Sequence, residues 1–148
     1  MEDSLIKLCH YNDWANNILF NKLAQEDTFV RFPYLRMLSH LVNAQVIWLN
    51  RIQGVKPTLT TWQEHSLVTC NEMHQQSSAA LKEIVVDGSM LDQVISYTNS
   101  KGMSYQTKVQ DILLHIFNHG IYHRAQIAQQ MRRNGLEPVN TDYITFVR

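Results

Sequence analysis

"DILLHIFNHGIYHRAQI", residues 111–127, sets His115, His119 and His123 four residues apart in an otherwise apolar stretch. Its apolar residues recur at intervals of three and four, the period of a helix with one buried face. With His115 as the origin, His119 falls near about 40° around the axis and His123 near about 80°. Ile112 lies near about 60°, Ile116 near about 100°, and Val109 and Ile127 near about 120°. His119 and His123 therefore sit within the apolar stripe, and His115 on its shoulder. Two imidazoles one turn apart on the same face can reach one ion. A single buried histidine is more often a hydrogen-bonded core residue than a ligand. Two side by side each need a partner that a neutral imidazole seldom supplies, so a metal competes on equal terms with that reading. His115 reads as a shoulder residue or a neighbour of such a site.

A third ligand would have to come from another helix. "LRMLSHLVNAQVIWLNR" offers His40, on a partly apolar flank about one turn from Met37 and Ala44. Three neutral imidazoles with an open position suit a catalytic zinc, nickel or similar divalent ion. The candidate metal ligands are thus His40, His119 and His123, and no catalytic side chain is identified. Asn43, Gln45, Trp48, Asn118, Tyr122 and Gln126 are candidates to orient imidazoles or line a pocket. Gln126 is best placed, close to His119 by angle. Tyr11 and Trp14 are candidate cavity walls, while His10, His65 and His74 lie in polar sequence and receive no role. There is no Ser-His-Asp arrangement, Gly-rich phosphate loop or paired-carboxylate pattern.

The remaining chain is mostly helical. Helical spacing of Leu5, Leu8, Ala15, Ile18, Leu19 and Leu23 predicts a first helix over 5–23. Pro33 suits the first turn of a second helix running to Gly54. Thr60 or Thr61, with Glu64 completing a capping box, predicts a third helix that ends at Asp87-Gly88. Val94, Ser96 and Thr98 alternate with Ile95, Tyr97 and Asn99 before a turn at Ser100-Lys101-Gly102, so a hairpin or an extended segment follows. The His-rich helix then starts near Thr107 and stops before Gly135, about seven turns. The expected fold is all-α: a four-helix bundle forming one domain over 1–148, with a short hairpin or an extended segment between helices three and four. Leu114, Ile121, Ala125 and Ala128 form a second apolar stripe on the last helix, which is then either central in its own core or packed on a second copy, and a homodimer is expected.

The 148 residues carry thirteen basic and thirteen acidic side chains. Without a basic stripe, the electrostatic term that drives nucleic-acid binding is missing. No apolar run is long enough for a membrane span, and "MEDSLIKLCHYNDW" has acidic residues where a signal peptide is basic, so a cytoplasmic protein is expected. Cys9 and Cys70 lack redox or zinc spacing and read as reduced packing residues.

Along nearly its whole length the chain resembles the DinB superfamily of four-helix metalloproteins. "YNDWAN" (11–16) looks like the family's first-helix motif and "LSHLVNAQVIWLNRIQG" like its second helix with the ligand histidine. "ILLHIFNHGIYHRAQI" is similar to the last-helix motif, and "LEPVNTDYITF" to the tail. By position the resemblance implies metal ligation by His40, His119 and His123. Ala125 stands where the family often has Gly, a methyl that bears on local packing. The resemblance further implies thiol-dependent transferase or isomerase chemistry, with a low-molecular-weight thiol and an electrophilic small molecule as partners. The alternative is a non-catalytic binding or stress-response protein whose metal site is structural or vestigial. The family name reflects damage-inducible genes and does not imply DNA contact.

Overall fold

The computed structural model describes residues 2–148. Four long helices, α1 (Glu2–Gln25), α3 (Leu35–Gln53), α4 (Leu67–Asp87) and α5 (Val109–Arg133), form the bundle. A short α2 (Thr28–Arg31) and a 3-10 turn (Phe32–Tyr34) join the first two, and α6 (Tyr143–Val147) closes the tail. Strands β1 (Val94–Thr98) and β2 (Ser104–Lys108) pair antiparallel with Val94 opposite Lys108, so the hairpin exists. Its turn uses Gly102 at φ 79°, and Asn99 Oδ1 accepts from the Lys101 and Met103 amides at 3.0 and 2.9 Å. Ile95 and Tyr97 face the bundle, as the alternation requires. No helix among the described residues is long and apolar enough to cross a membrane.

Three helix starts differ from expectation. Pro33 lies in the 3-10 turn, and α3 begins two residues later. The last helix begins at Val109, because the hairpin continues through Lys108. Thr60, Thr61 and Glu64 do not open α4; Ser66 does, accepting from the Thr69 amide at 3.1 Å. Residues 54–66 instead run as an irregular crossover, for a reason visible in the apolar clusters.

One cluster joins Leu5 and Cys9 to Leu49, Ile52, Leu81, Val85 and the first half of α5. The other joins Leu19 and Leu23 to Leu38, Val42, Leu67, Cys70, Ile127 and Met131. Thus α1 and α5 run one way, α3 and α4 the other, and the link between parallel α3 and α4 must travel the length of the bundle. The helices contact in the cyclic order α1, α4, α3, α5.

Between the two apolar clusters lies a buried polar layer: Asn12, Asn16, His40, Asn43, Gln45, His74, Ser77, His123 and Arg124. Arg124 Nη1 donates to Asn12 Oδ1 at 3.0 Å and to Asn16 Oδ1 at 2.8 Å, and its guanidinium carbon lies 5.4 Å from the Tyr11 ring centroid. Tyr11 and Trp14 do not wall the metal-site region. They pack on α6 instead, with Tyr11 to Tyr143 centroids 5.3 Å apart, and the Tyr11 hydroxyl donates to the Thr141 carbonyl at 2.6 Å. On the second stripe of α5, Ile121, Ala125 and Ala128 border a cavity whose far wall is the chain's own segment 137–142.

Gly120 is where α5 meets this layer. A Cβ there would stand 2.6 Å from Asn12 Oδ1 and 2.8 Å from Arg124 Nη1, both buried atoms already bonded to each other. Alanine ordinarily favours a helix over glycine by about 1 kcal/mol. Here Gly120→Ala is expected to destabilise by about 1–3 kcal/mol through overpacking; urea unfolding checks the sign, and a gain in stability would contradict the layer as described.

Candidate metal centre

The face of α3 that carries His40 meets the face of α5 that carries His119 and His123. Their three Nε2 atoms converge: His40 to His123 is 3.1 Å and His123 to His119 is 3.0 Å. Three imidazoles sharing a tetrahedral ion at about 2.0 Å would have nitrogens about 3.3 Å apart, close to these spacings. Together the three form a group that could hold a metal ion.

The outer nitrogens decide what the inner ones can do. His40 Nδ1 lies 3.1 Å from the Thr61 carbonyl, which can only accept, so Nδ1 carries the proton. Gln126 presents Oε1 to His123 Nδ1 at 2.7 Å, which fixes that proton as well. In the neutral rings, His40 Nε2 and His123 Nε2 are then both bare lone pairs facing one another, and they cannot hydrogen-bond. A cation between them removes that repulsion, and the donor set suits zinc, nickel, copper or iron. Burial first, then the neighbouring His123, His40 and His115, pushes the His119 pKa down to about 3. Burial likewise lowers His123 against the opposing Gln126 hydrogen bond. Both rings stay neutral, as metal ligation demands.

The crossover 54–66 roofs this group and is pinned by α3 itself. Asn43 Nδ2 donates to the Thr61 and Gln63 carbonyls at 3.3 and 2.7 Å, and Asn43 Oδ1 meets His65 Nε2 at 2.8 Å. Ser39 Oγ accepts the His65 amide at 2.9 Å. Trp62 lies flat on His40, centroids 3.9 Å apart with 11° between planes, which covers one face of that ring. The sequence suggests Asn43 as an orienting residue, but not Thr61 or Trp62, which a helix start at Thr60 or Thr61 had hidden.

Other candidates separate clearly. Gln126 orients His123 rather than His119, and Tyr122 packs edge-on against His123 at 5.1 Å. Asn118 bonds back to the Leu114 carbonyl, and Gln45 belongs to the polar layer. His115 is exposed and stacks edge-on against Trp48 at 5.1 Å, outside the converging trio.

His74, unassigned from sequence, is completely buried. Its Nδ1 receives the Gln45 and Asn16 amide groups at 3.2 and 3.4 Å, leaving Nε2–H to donate to Asp13 Oδ1 at 3.0 Å. No short-range signal marks it, since its partners lie 29 to 61 residues away.

A family model described as the DinB family matches residues 1–148. Protein DinB of Bacillus subtilis (strain 168) is 26% identical over 166 aligned positions, covering 97% of this chain and 93% of that protein.

The His74 hydrogen bond, opposed by burial and helped by Ser78 and Asn17, holds the Asp13 carboxyl below its ordinary 3.8. The unfolded chain therefore takes up this proton first as the pH falls, and the bond's contribution, full above about pH 4, is lost in more acid solution. Asp13→Asn should lower the melting temperature at pH 7, with the gap to wild type closing below pH 4; a gap independent of pH would contradict it.

Proposed function

Because this chain belongs to the DinB family, and because two bare imidazole lone pairs face each other beside a third ring, we propose that it is a metal-dependent enzyme. In this reading His40, His119 and His123 hold one divalent ion, zinc or nickel, and the substrates are a low-molecular-weight thiol and an electrophilic small molecule. The convergence of the three Nε2 atoms is the observation that carries the proposal. An ion held there supplies a Lewis acid that lowers the pKa of a thiol or a water.

The protein's own part is positioning. Gln126 and the Thr61 carbonyl fix the tautomers of His123 and His40, so that Nε2 of each faces inward. Trp62 excludes water from the outer face of His40. The half-buried His119 and exposed His115 mark the open side, from which a small molecule approaches. A structural or vestigial site is the competing reading. Structural sites are normally closed by four protein ligands, whereas three residues make up this group among those described, which supports an open, reactive position.

Elemental mass spectrometry of protein purified without an affinity tag should find about one transition-metal ion per chain. His40→Ala, His119→Ala and His123→Ala should each lose it. Gln126→Leu should keep the fold and bind zinc about 10–100-fold more weakly. Absence of metal after reconstitution would remove the proposal.

Activity is tested separately by thiol consumption with monobromobimane as electrophile. Metal-loaded wild type should exceed both metal-free protein and His123→Ala by at least about 100-fold. Equal rates, across a panel of thiols and electrophiles, would leave only the binding or structural reading.

A further inference from the structure

Arg51 is a cation with no counterion among the described residues. Among the described residues no carboxylate lies within ion-pair distance of it, and its one polar contact is a long 3.5 Å approach of Nη2 to the Thr98 carbonyl. It is nonetheless held firmly: the guanidinium carbon sits 4.4 Å from the Trp48 ring centroid and 4.9 Å from that of Tyr97. Packing against Trp48 of its own helix and Tyr97 of the hairpin restricts the side chain's rotamers before any ligand arrives. Several N–H donors of its planar fork remain unused.

Those donors border a cavity of about 630 Å³ between the end of α3, the crossover and the hairpin. That volume suits a small organic molecule. Ile47, Val55 and Leu59 supply apolar wall, Lys56 adds a second positive charge, and no acidic residue lines it. The cavity reaches Thr61, whose carbonyl holds His40. His40, Ile47 and Arg51 share one face of α3, with Ile47 and Arg51 about 20° to either side of His40, and the helix rises about 16 Å from the first to the last. On α5, His115 stands one turn from His119 towards this end, edge-on to the same Trp48 that Arg51 covers.

We propose that this cavity is a second anchor for the substrate, in which Arg51 binds a carboxylate or phosphate group of the small molecule whose reactive end lies at the three imidazoles. The inference rests on the functional reading above, and it narrows the substrate class to anionic molecules long enough to lie along α3. Arg51 is in this role a specificity residue: it holds the remote end and does not touch the reacting atoms. A guanidinium flanked by aromatic rings makes a stronger, less hydrated contact with an oxyanion than one in open water, and the forked geometry favours two parallel hydrogen bonds.

The test uses cobalt-substituted full-length protein and matched thiol probes, 3-mercaptopropionate, 6-mercaptohexanoate and 11-mercaptoundecanoate, against the alcohols of the same length. Binding is read from the thiolate-to-cobalt absorption band. Wild type is expected to prefer at least one acid over its alcohol by about tenfold. Arg51→Met, which keeps the apolar stem against the rings, should bind the alcohol unchanged and reduce that preference to about twofold or less; Arg51→Lys should retain part of it. Melting temperatures confirm that both variants fold. No preference in wild type, or an equal preference in Arg51→Met, overturns the proposal.

If no thiol alters the cobalt spectrum, the thiol reading fails on its own, and the anion site is decided by the metal-free protein. There, tryptophan fluorescence is titrated with hexanoate, hexyl phosphate and hexanol. Saturation by either acid but not the alcohol, lost in Arg51→Met, supports the site and separates carboxylate from phosphate. No saturable response to either acid overturns it.

Discussion

The buried polar layer halfway along the bundle is the constraint to which the other parts answer. Arg124 is 3% exposed and is held by the neutral amides of Asn12 and Asn16 rather than by a carboxylate. Among the described residues its Nε and Nη2 have no partner, and burial lowers its pKa. An ion removed from water at such a cost tolerates little displacement of the groups that do satisfy it. That fixes the rotation and height of α1 against α5, requires glycine at 120, and sets His123, one residue before Arg124, facing α3. The apolar clusters on either side could accept modest slippage; this layer cannot.

The same layer continues through Gln45, His74 and Asp13 to tie α3 and α4 to α1. Gln45 also donates to Ser77 at 2.7 Å, so each of the four long helices contributes a side chain. Helical propensity and apolar burial supply most of the driving force for the bundle. The polar contacts choose one register among the alternatives that burial alone would allow. The three imidazoles inherit their alignment from that choice.

Topology accounts for the roof. With α3 and α4 parallel, the chain between them must run back past His40, and it does so as irregular backbone whose carbonyls need partners. His40 and Asn43, about one turn apart on α3, donate to the Thr61 and Gln63 carbonyls, and Ser39 Oγ accepts the His65 amide. One set of contacts thus satisfies the crossover, sets the His40 tautomer and lays Trp62 on its ring. At the opposite end the hairpin brings Tyr97 against Trp48 at 5.0 Å, closing the cavity beside Arg51.

Periodicity by itself determined the four long helices and the face shared by His119 and His123, because each is a local pattern repeated over several turns; it left residues 94–108 as either a hairpin or an extended segment, and strand pairing decided that. Gln126 was legible as an orienting residue for the same reason, though angle pointed to His119 and packing gave it His123. The sequence offered His40 as the third ring, but tertiary structure decided that its helix faces the other two, since His40 lies 83 residues from His123. It also decided that Thr60 to Glu64 roof the site instead of opening a helix, which depends on the parallel course of α3 and α4. It buried His74, for which nothing nearby in sequence supplies a partner. Local spacing encodes faces, whereas the height and pairing of those faces come from satisfying buried polar groups across helices, and that is settled only when all four pack together.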